Sequence, residues 1–213
     1  MSGFSSAWLR LREPLDRASR SAALVRELDC LVGGFHISGH KPSRDYLNAQ
    51  GVTTVVGEAE GQISEILEDE ERLGVRFERI FVASGSAGTQ AGILVGVRAL
   101  GMETRVEGID VSAVSELKSE IAELAPATAA HLGLDLDLGE EDYILHSAYG
   151  APGYANITGA EREAIHLLAR TEGILVDPVY TGRALAGLLD LVRTGVYREG
   201  ENVLFWHTGG VAG

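Results

Sequence analysis

A chain of 213 residues, 45% hydrophobic and 23% charged, is long enough to bury a sizeable core as one large or two small domains. Its formal charge of −13 and pI near 4.8 argue against a non-specific nucleic-acid binder, which needs a basic stripe to meet a phosphate backbone. The single cysteine, Cys30, leaves no disulfide framework and no thiolate metal site, and reads as a buried apolar side chain in a reducing cytoplasm.

The first dozen residues lack the charged start and apolar run of a signal peptide, and no apolar stretch approaches the roughly 18 residues that span a bilayer. Short β-branched or aromatic runs then alternate with longer helical patterns. The runs at 34–38, 53–56, 79–83, 104–110, 143–145, 174–176 and 202–206 predict strands. Apolar residues at three- and four-residue steps predict helices over 22–32, 63–73, 89–100, 114–124, 160–170 and 183–192. Gly74, Gly101, Gly173 and Gly195 fall where four of these should stop, and Pro126 should break the pattern that starts at Val114. The acidic stretch Glu58–Glu71 reads as a solvated helix face, and Ala151–Asn156 as a turn-rich link. This order predicts an α/β fold, a mostly parallel twisted sheet with helices on both faces.

Between the strand at Ile80–Ala83 and the apolar helix from Ala91 onward lies Ser84-Gly85-Ser86-Ala87-Gly88-Thr89. Glycines let several backbone N–H groups converge at a helix start, where the dipole adds partial positive charge and hydroxyls add donors, so an anion is the natural guest. A plain Gly-rich turn remains the alternative. A P-loop is disfavoured, because G-x-x-x-x-G-K-[ST] is absent and no lysine follows. A dinucleotide site would use Asp110 for a ribose, yet Gly85, Gly88 and Gly92 do not form G-x-G-x-x-G.

Three further segments, Pro152–Asn156, Leu168–Arg183 and Gly200–Gly210, join Ser84–Gln90 in an ordered set. Together they resemble the C-terminal part of the D-cysteine desulfhydrase and 1-aminocyclopropane-1-carboxylate deaminase family. These are pyridoxal phosphate (PLP) enzymes on the fold of the tryptophan synthase β subunit. The resemblance implies that Ser84, Gly85, Ser86, Ala87, Gly88 and Thr89 cradle the cofactor phosphate and that Thr208 approaches the pyridine nitrogen. It implies that Tyr154 and Tyr180 are catalytic on the substrate side, and that Thr181, counted with the cofactor-binding set, favours the desulfhydrase branch over the deaminases. Without it, Tyr154 reads as turn packing, Tyr180 as a capped core aromatic, Thr208 as a strand-end hydroxyl and Asp177 as a strand-end cap. His207 reads as structural, and the histidines show no metal-ligand spacing, so no metal is expected.

The resemblance further implies a homodimer acting on a small amino acid such as D-cysteine, yielding a 2-oxo acid and ammonia. Residues 1–52 would be a remnant of the small domain and 53–213 the large, phosphate-binding domain, so the chain is expected to be N-terminally truncated. The family's Schiff-base lysine lies in a Gly-Asn-Lys-x-Arg-Lys setting far ahead of the phosphate loop, and this chain has neither that pattern nor a lysine besides Lys41 and Lys118. Both read as surface lysines. Two other functions stay open: a non-catalytic protein that binds PLP or a phosphate ester, and an NAD(P)-binding oxidoreductase.

Overall fold

The computed structural model describes residues 7–10, 63, 66–197 and 200–209. Five strands form one sheet: β1 (Ala7–Arg10), β2 (Arg79–Ser84), β3 (Arg105–Asp110), β4 (Ile144–His146) and β5 (Asn202–Trp206), in the order β1-β5-β2-β3-β4. Strands β5, β2, β3 and β4 run parallel, and β1 pairs antiparallel with β5. The register sets Ile80 beside Val106 and Leu204, and Ser84 beside Asp110. Among the described residues five α-helices flank it: α1 (66–73), α2 (Gly88–Ala99), α3 (Leu117–His131), α4 (Gly159–Glu172) and α5 (Thr181–Arg193). No helix among the described residues is long and apolar enough to cross a membrane.

Alternation along the strands divides the core into two layers. Ile80, Val82, Val106, Leu204 and Trp206 pack with Leu94, Val95, Ile121 and Ala125 of α2 and α3. Phe81, Ile109, Val203 and Phe205 pack with Ala164, Leu168, Leu185 and Leu188 of α4 and α5. Covering both faces suits a parallel sheet, whose strands carry apolar residues on either side.

The predicted helix stops hold. Gly173 closes α4 in the left-handed conformation (φ 70°), its N–H donating to the carbonyl of Ala169, and Gly74, Gly101 and Gly195 share that conformation. Two expectations fail. Pro126 lies inside α3 instead of ending it. Its missing N–H and ring cost about 3 kcal/mol, but the burial of Ile121 and Ala125 before it and of Thr128 and Ala129 after it holds both halves in one helix. Residues 174–176 form no strand: the Leu175 carbonyl meets His207 Nε2 instead of a sheet neighbour, and Val176 is buried while Leu175 faces solvent. The strands expected at 34–38 and 53–56, and the helix at 22–32, lie outside the described residues.

One side chain ties the anion-loop helix to the far edge of the sheet. Gln90, on the first turn of α2, is buried and crosses β3 at Gly108 to donate from Nε2 to the carbonyl of Ile144 in β4 (2.7 Å). A methyl group on Gly108 would collide with Gln90 Oε1. Gly108→Ala is therefore expected to cost about 1–3 kcal/mol, measured by urea unfolding, whereas Gly→Ala in an unobstructed strand would stabilise.

Candidate active site

The site lies at the carboxyl ends of β2, β3 and β5, the place where open α/β sheets bind ligands. Strand β2 ends at Ser84 and α2 begins at Gly88, so Ser84–Thr89 form a single turn at a helix start. Ala87 adopts a positive φ of 63°, and the Gly88 N–H donates to the Ser86 carbonyl (2.7 Å), closing a tight turn. No side chain caps α2, and no acidic residue sits in its first turn. The first amides of any helix lack intrahelical partners, and among the described residues no side chain meets this positive end. Ser84, 2% exposed, keeps a buried hydroxyl that finds no partner among the described residues. Such a group costs about 1–3 kcal/mol unless a ligand or water satisfies it.

Of the other helices that start at this end, α3 has no side-chain cap but carries Glu120 in its first turn, and α4 and α5 are capped internally. Thr158 and Glu161 form a capping box on α4: Thr158 Oγ1 accepts from the Ala160 amide (3.2 Å), and Glu161 Oε2 from the Thr158 amide (2.8 Å). Asp177 accepts the amides of Val179, Tyr180 and Thr181 at 2.7–3.0 Å, so it caps α5 rather than a strand end. Thr181 is fully enclosed, and its hydroxyl donates to Asp177 Oδ2 (2.6 Å). The carbonyl of Gly209 lies 3.4 Å from the same hydroxyl, which brings the Thr208 stretch over the start of α5.

Thr208 itself is half-buried just beyond β5. Its neighbour His207 accepts the Gly209 amide at Nδ1 (2.9 Å), so Nε2 carries the proton and donates to the Leu175 carbonyl (3.0 Å). With both ring nitrogens spent on backbone, His207 is structural, as its sequence context suggests.

Tyr154 and Tyr180 meet. Their hydroxyls are hydrogen-bonded to each other, and the rings stand edge to face with centroids 5.8 Å apart. Burial pushes the Tyr180 phenol up to about 12, and the bond to Tyr154 and the charge of Asp177 add to it. Tyr180 thus keeps its proton at neutral pH, and either hydroxyl can donate to the other. Its ring also backs the anion loop: a Cβ on Gly85 would stand 3.7 Å from Tyr180 Cε1 and 3.2 Å from Val111 Cγ2. Loop and phenols form one wall.

Arg183, absent from the sequence-derived set, is 1% exposed in the first turn of α5. Its Nε donates to Glu161 Oε1 (2.8 Å), one Nη to the Gly153 carbonyl (2.9 Å), and the other Nη to that of Asn156. Its helical spacing beside Ala184 and Leu188 made it look like one more helix residue. The signal available was a cation in an otherwise apolar stretch, which must find a partner when buried.

Asp110 is spent locally: Oδ1 accepts the Ser112 and Ala113 amides and the Ser112 hydroxyl at 2.8–3.0 Å, which leaves little of it for a ribose. Lys118, half exposed, lies 3.6 Å from Glu140. Lys41 lies outside the described residues.

A family profile described as "Pyridoxal-phosphate dependent enzyme" matches residues 14–209. The chain is 42% identical over 151 residues to a 1-aminocyclopropane-1-carboxylate deaminase of Burkholderia cenocepacia, covering 70% of this chain and 45% of that protein. It is 43% identical over 152 residues to one of Ralstonia nicotianae, covering 71% and 45%. A crystal structure of an ACC deaminase homologue superposes with a TM-score of 0.64 at 36% identity, covering 76% of this chain and 46% of that one. The chain thus spans about half the length of the relatives it matches.

Proposed function

This chain belongs to the family of pyridoxal-phosphate dependent enzymes, and from that premise we propose that Ser84–Thr89 hold the phosphate of PLP within a lyase or deaminase site for a small amino acid. The observation that carries the reading is the uncapped start of α2, with the partnerless Ser84 hydroxyl beneath it, set against the Tyr154–Tyr180 wall. A phosphate dianion supplies what that end of the helix lacks, and the donors present there fit it.

When bound, PLP supplies an electron sink for the carbanion left as a substrate loses its α-proton. The chain's own residues do the rest. The amides and hydroxyls of the loop orient the phosphate. Thr208 would offer the ring nitrogen a neutral hydroxyl, which can hydrogen-bond but cannot hold a proton there as a carboxylate would. Tyr180, kept protonated by its raised pKa, and Tyr154 hold the substrate through their hydroxyls. Thr181 stands behind Tyr180 as part of the α5 cap. On the pattern at 177–182, D-cysteine is the favoured substrate, giving with one water pyruvate, hydrogen sulfide and ammonia; the name of the relatives makes 1-aminocyclopropane-1-carboxylate the competitor. Parallel assays of sulfide and 2-oxo acid release separate the two.

A second reading, a protein that binds PLP or a phosphate ester without turnover, draws support from the one lysine among the described residues, Lys118, being paired with Glu140. Saturable binding without product from either amino acid would select it.

Gly88→Asp tests the phosphate site itself. A Cβ there meets nothing within 4 Å, and Gly88 has no positive φ, so the side chain is accommodated. An acid at the helix start should raise stability by about 0.3–1 kcal/mol while repelling the phosphate. PLP affinity, read by fluorescence titration with inorganic phosphate as competitor, should fall by about tenfold or more. Unchanged affinity would place the phosphate elsewhere.

A further inference from the structure

Tyr154 and Tyr180 come from different elements, and something must bring them to hydrogen-bonding distance. Tyr180 immediately precedes α5 and is fixed by Asp177. Tyr154 rides on the turn 150–156, whose backbone bonds, Gly153 N–H to the Gly150 carbonyl (2.9 Å) and Asn156 N–H to the Gly153 carbonyl (3.3 Å), close it on itself. That turn also holds Ala155 at φ 60°, a conformation that persists only when surroundings enforce it. Arg183 supplies the reach from α5 to it. One helical turn after Tyr180, its guanidinium meets the carbonyls of Gly153 and Asn156 at close range and those of Gly150 and Val111 at 3.4–3.5 Å, while Glu161 balances its charge. Glu161 in turn holds the next stretch of chain through the Thr158 amide.

We propose that Arg183 is the positioning residue of the two-phenol pair: its buried guanidinium, projecting from the helix start that carries Tyr180, grips the carbonyls on either side of Tyr154 and so fixes one hydroxyl against the other. The inference rests on the reading of these phenols as substrate-side groups. It makes the pair a property of one arginine rather than of the loop sequence. A planar fork with five donors reaches several carbonyls and a carboxylate at once; an ammonium, a point charge with three donors on a flexible stem, does not. Lysine at this position therefore keeps the charge and loses the grip.

The test uses the full chain labelled with a fluorinated tyrosine, which titrates nearer neutrality, with the 19F signals assigned through Tyr154→Phe and Tyr180→Phe. In the native background, Tyr154→Phe is expected to shift the Tyr180 signal and lower its titration midpoint by about 1 pH unit, a tenfold change in the proton equilibrium. In an Arg183→Lys background the same substitution should leave the Tyr180 signal and midpoint unmoved. Arg183→Met gives the second background should the lysine variant fold poorly, and a melting curve accompanies each. A purely structural role would lower the melting temperature and leave the coupling intact; undiminished coupling in either folded variant overturns the proposal. Neither readout involves PLP. Coupling that depends on Arg183 in a chain that fails to bind PLP would uphold this inference and overturn the functional reading.

Discussion

Glu107→Ala is expected to cost about 3–5 kcal/mol of folding stability, the range for removing one partner of a buried ion pair and leaving the other charge uncompensated. Glu107 lies in the middle of β3, 2% exposed, on the face that packs against α4 and α5. Its carboxylate pairs with Arg79 on β2, accepts from His146 Nε2 on β4 (2.6 Å) and from the Tyr197 hydroxyl (3.1 Å), and Arg79 lies over the Tyr197 ring at 4.6 Å while also pairing with Glu201 (2.9 Å). One carboxylate thus joins three parallel strands and the segment after α5. Burial alone would raise its pKa, but the hydrogen bonds and charges of His146 and Arg79 outweigh it and hold the group below the ordinary carboxylate range. A depressed folded pKa stabilises fully above the unfolded value, about 4.3, and that stabilisation is lost as the pH falls through the folded value. The gap in urea midpoint between native chain and Glu107→Ala should therefore be widest at neutral pH and shrink in acid. A gap that does not change with pH would mean that shape, not charge, is what the residue contributes.

Gly182→Ala should destabilise by about 1–3 kcal/mol, although alanine in a helix is ordinarily better than glycine by about 1 kcal/mol. A Cβ at this position, the second residue of α5, would stand 2.5 Å from the Asp177 carbonyl oxygen and 3.1–3.2 Å from two carbons of Ile165. That carbonyl already accepts the Gly182 amide at 2.7 Å, so the obstacle is backbone and cannot swing aside. Relief requires moving either the 177–180 turn, and Tyr180 with it, or α4. Urea unfolding reads the stability, and the near-ultraviolet circular dichroism of the tyrosines reads the displaced turn. Stabilisation of the ordinary Gly→Ala sign would show that α5 slides freely against the turn.

Much of this arrangement was legible in the sequence, and what escaped has common causes. Strands β2, β3, β4 and β5 announce themselves by β-branched and aromatic runs, and the loop at Ser84–Thr89 by small residues between such a run and an apolar helix. Both are local signals. Residues 174–176 have the composition of a strand but pair with no strand of the sheet, a fact that belongs to the topology. The pairing of Ala7–Arg10 with β5, nearly two hundred positions away, is likewise invisible to periodicity. At the site, Tyr154 and Tyr180 came from the family pattern, whereas Arg183, Glu161 and Gln90 sit inside helical stretches where a polar residue passes for a solvated one. Only burial distinguishes them. Glu107 could have been suspected earlier, since a carboxylate flanked by apolar neighbours in a strand covered on both faces must be paired.

The bare start of α2 has a consequence for how the protein is kept. Helices α4 and α5 are completed by side chains of the chain itself, whereas a solute seated at the start of α2 would add to folding free energy by mass action. A ligand at a hundred times its dissociation constant contributes about 2.7 kcal/mol, a sizeable share of what holds a domain folded. If PLP is that solute, as proposed, its supply would lengthen the survival of each copy against proteolysis.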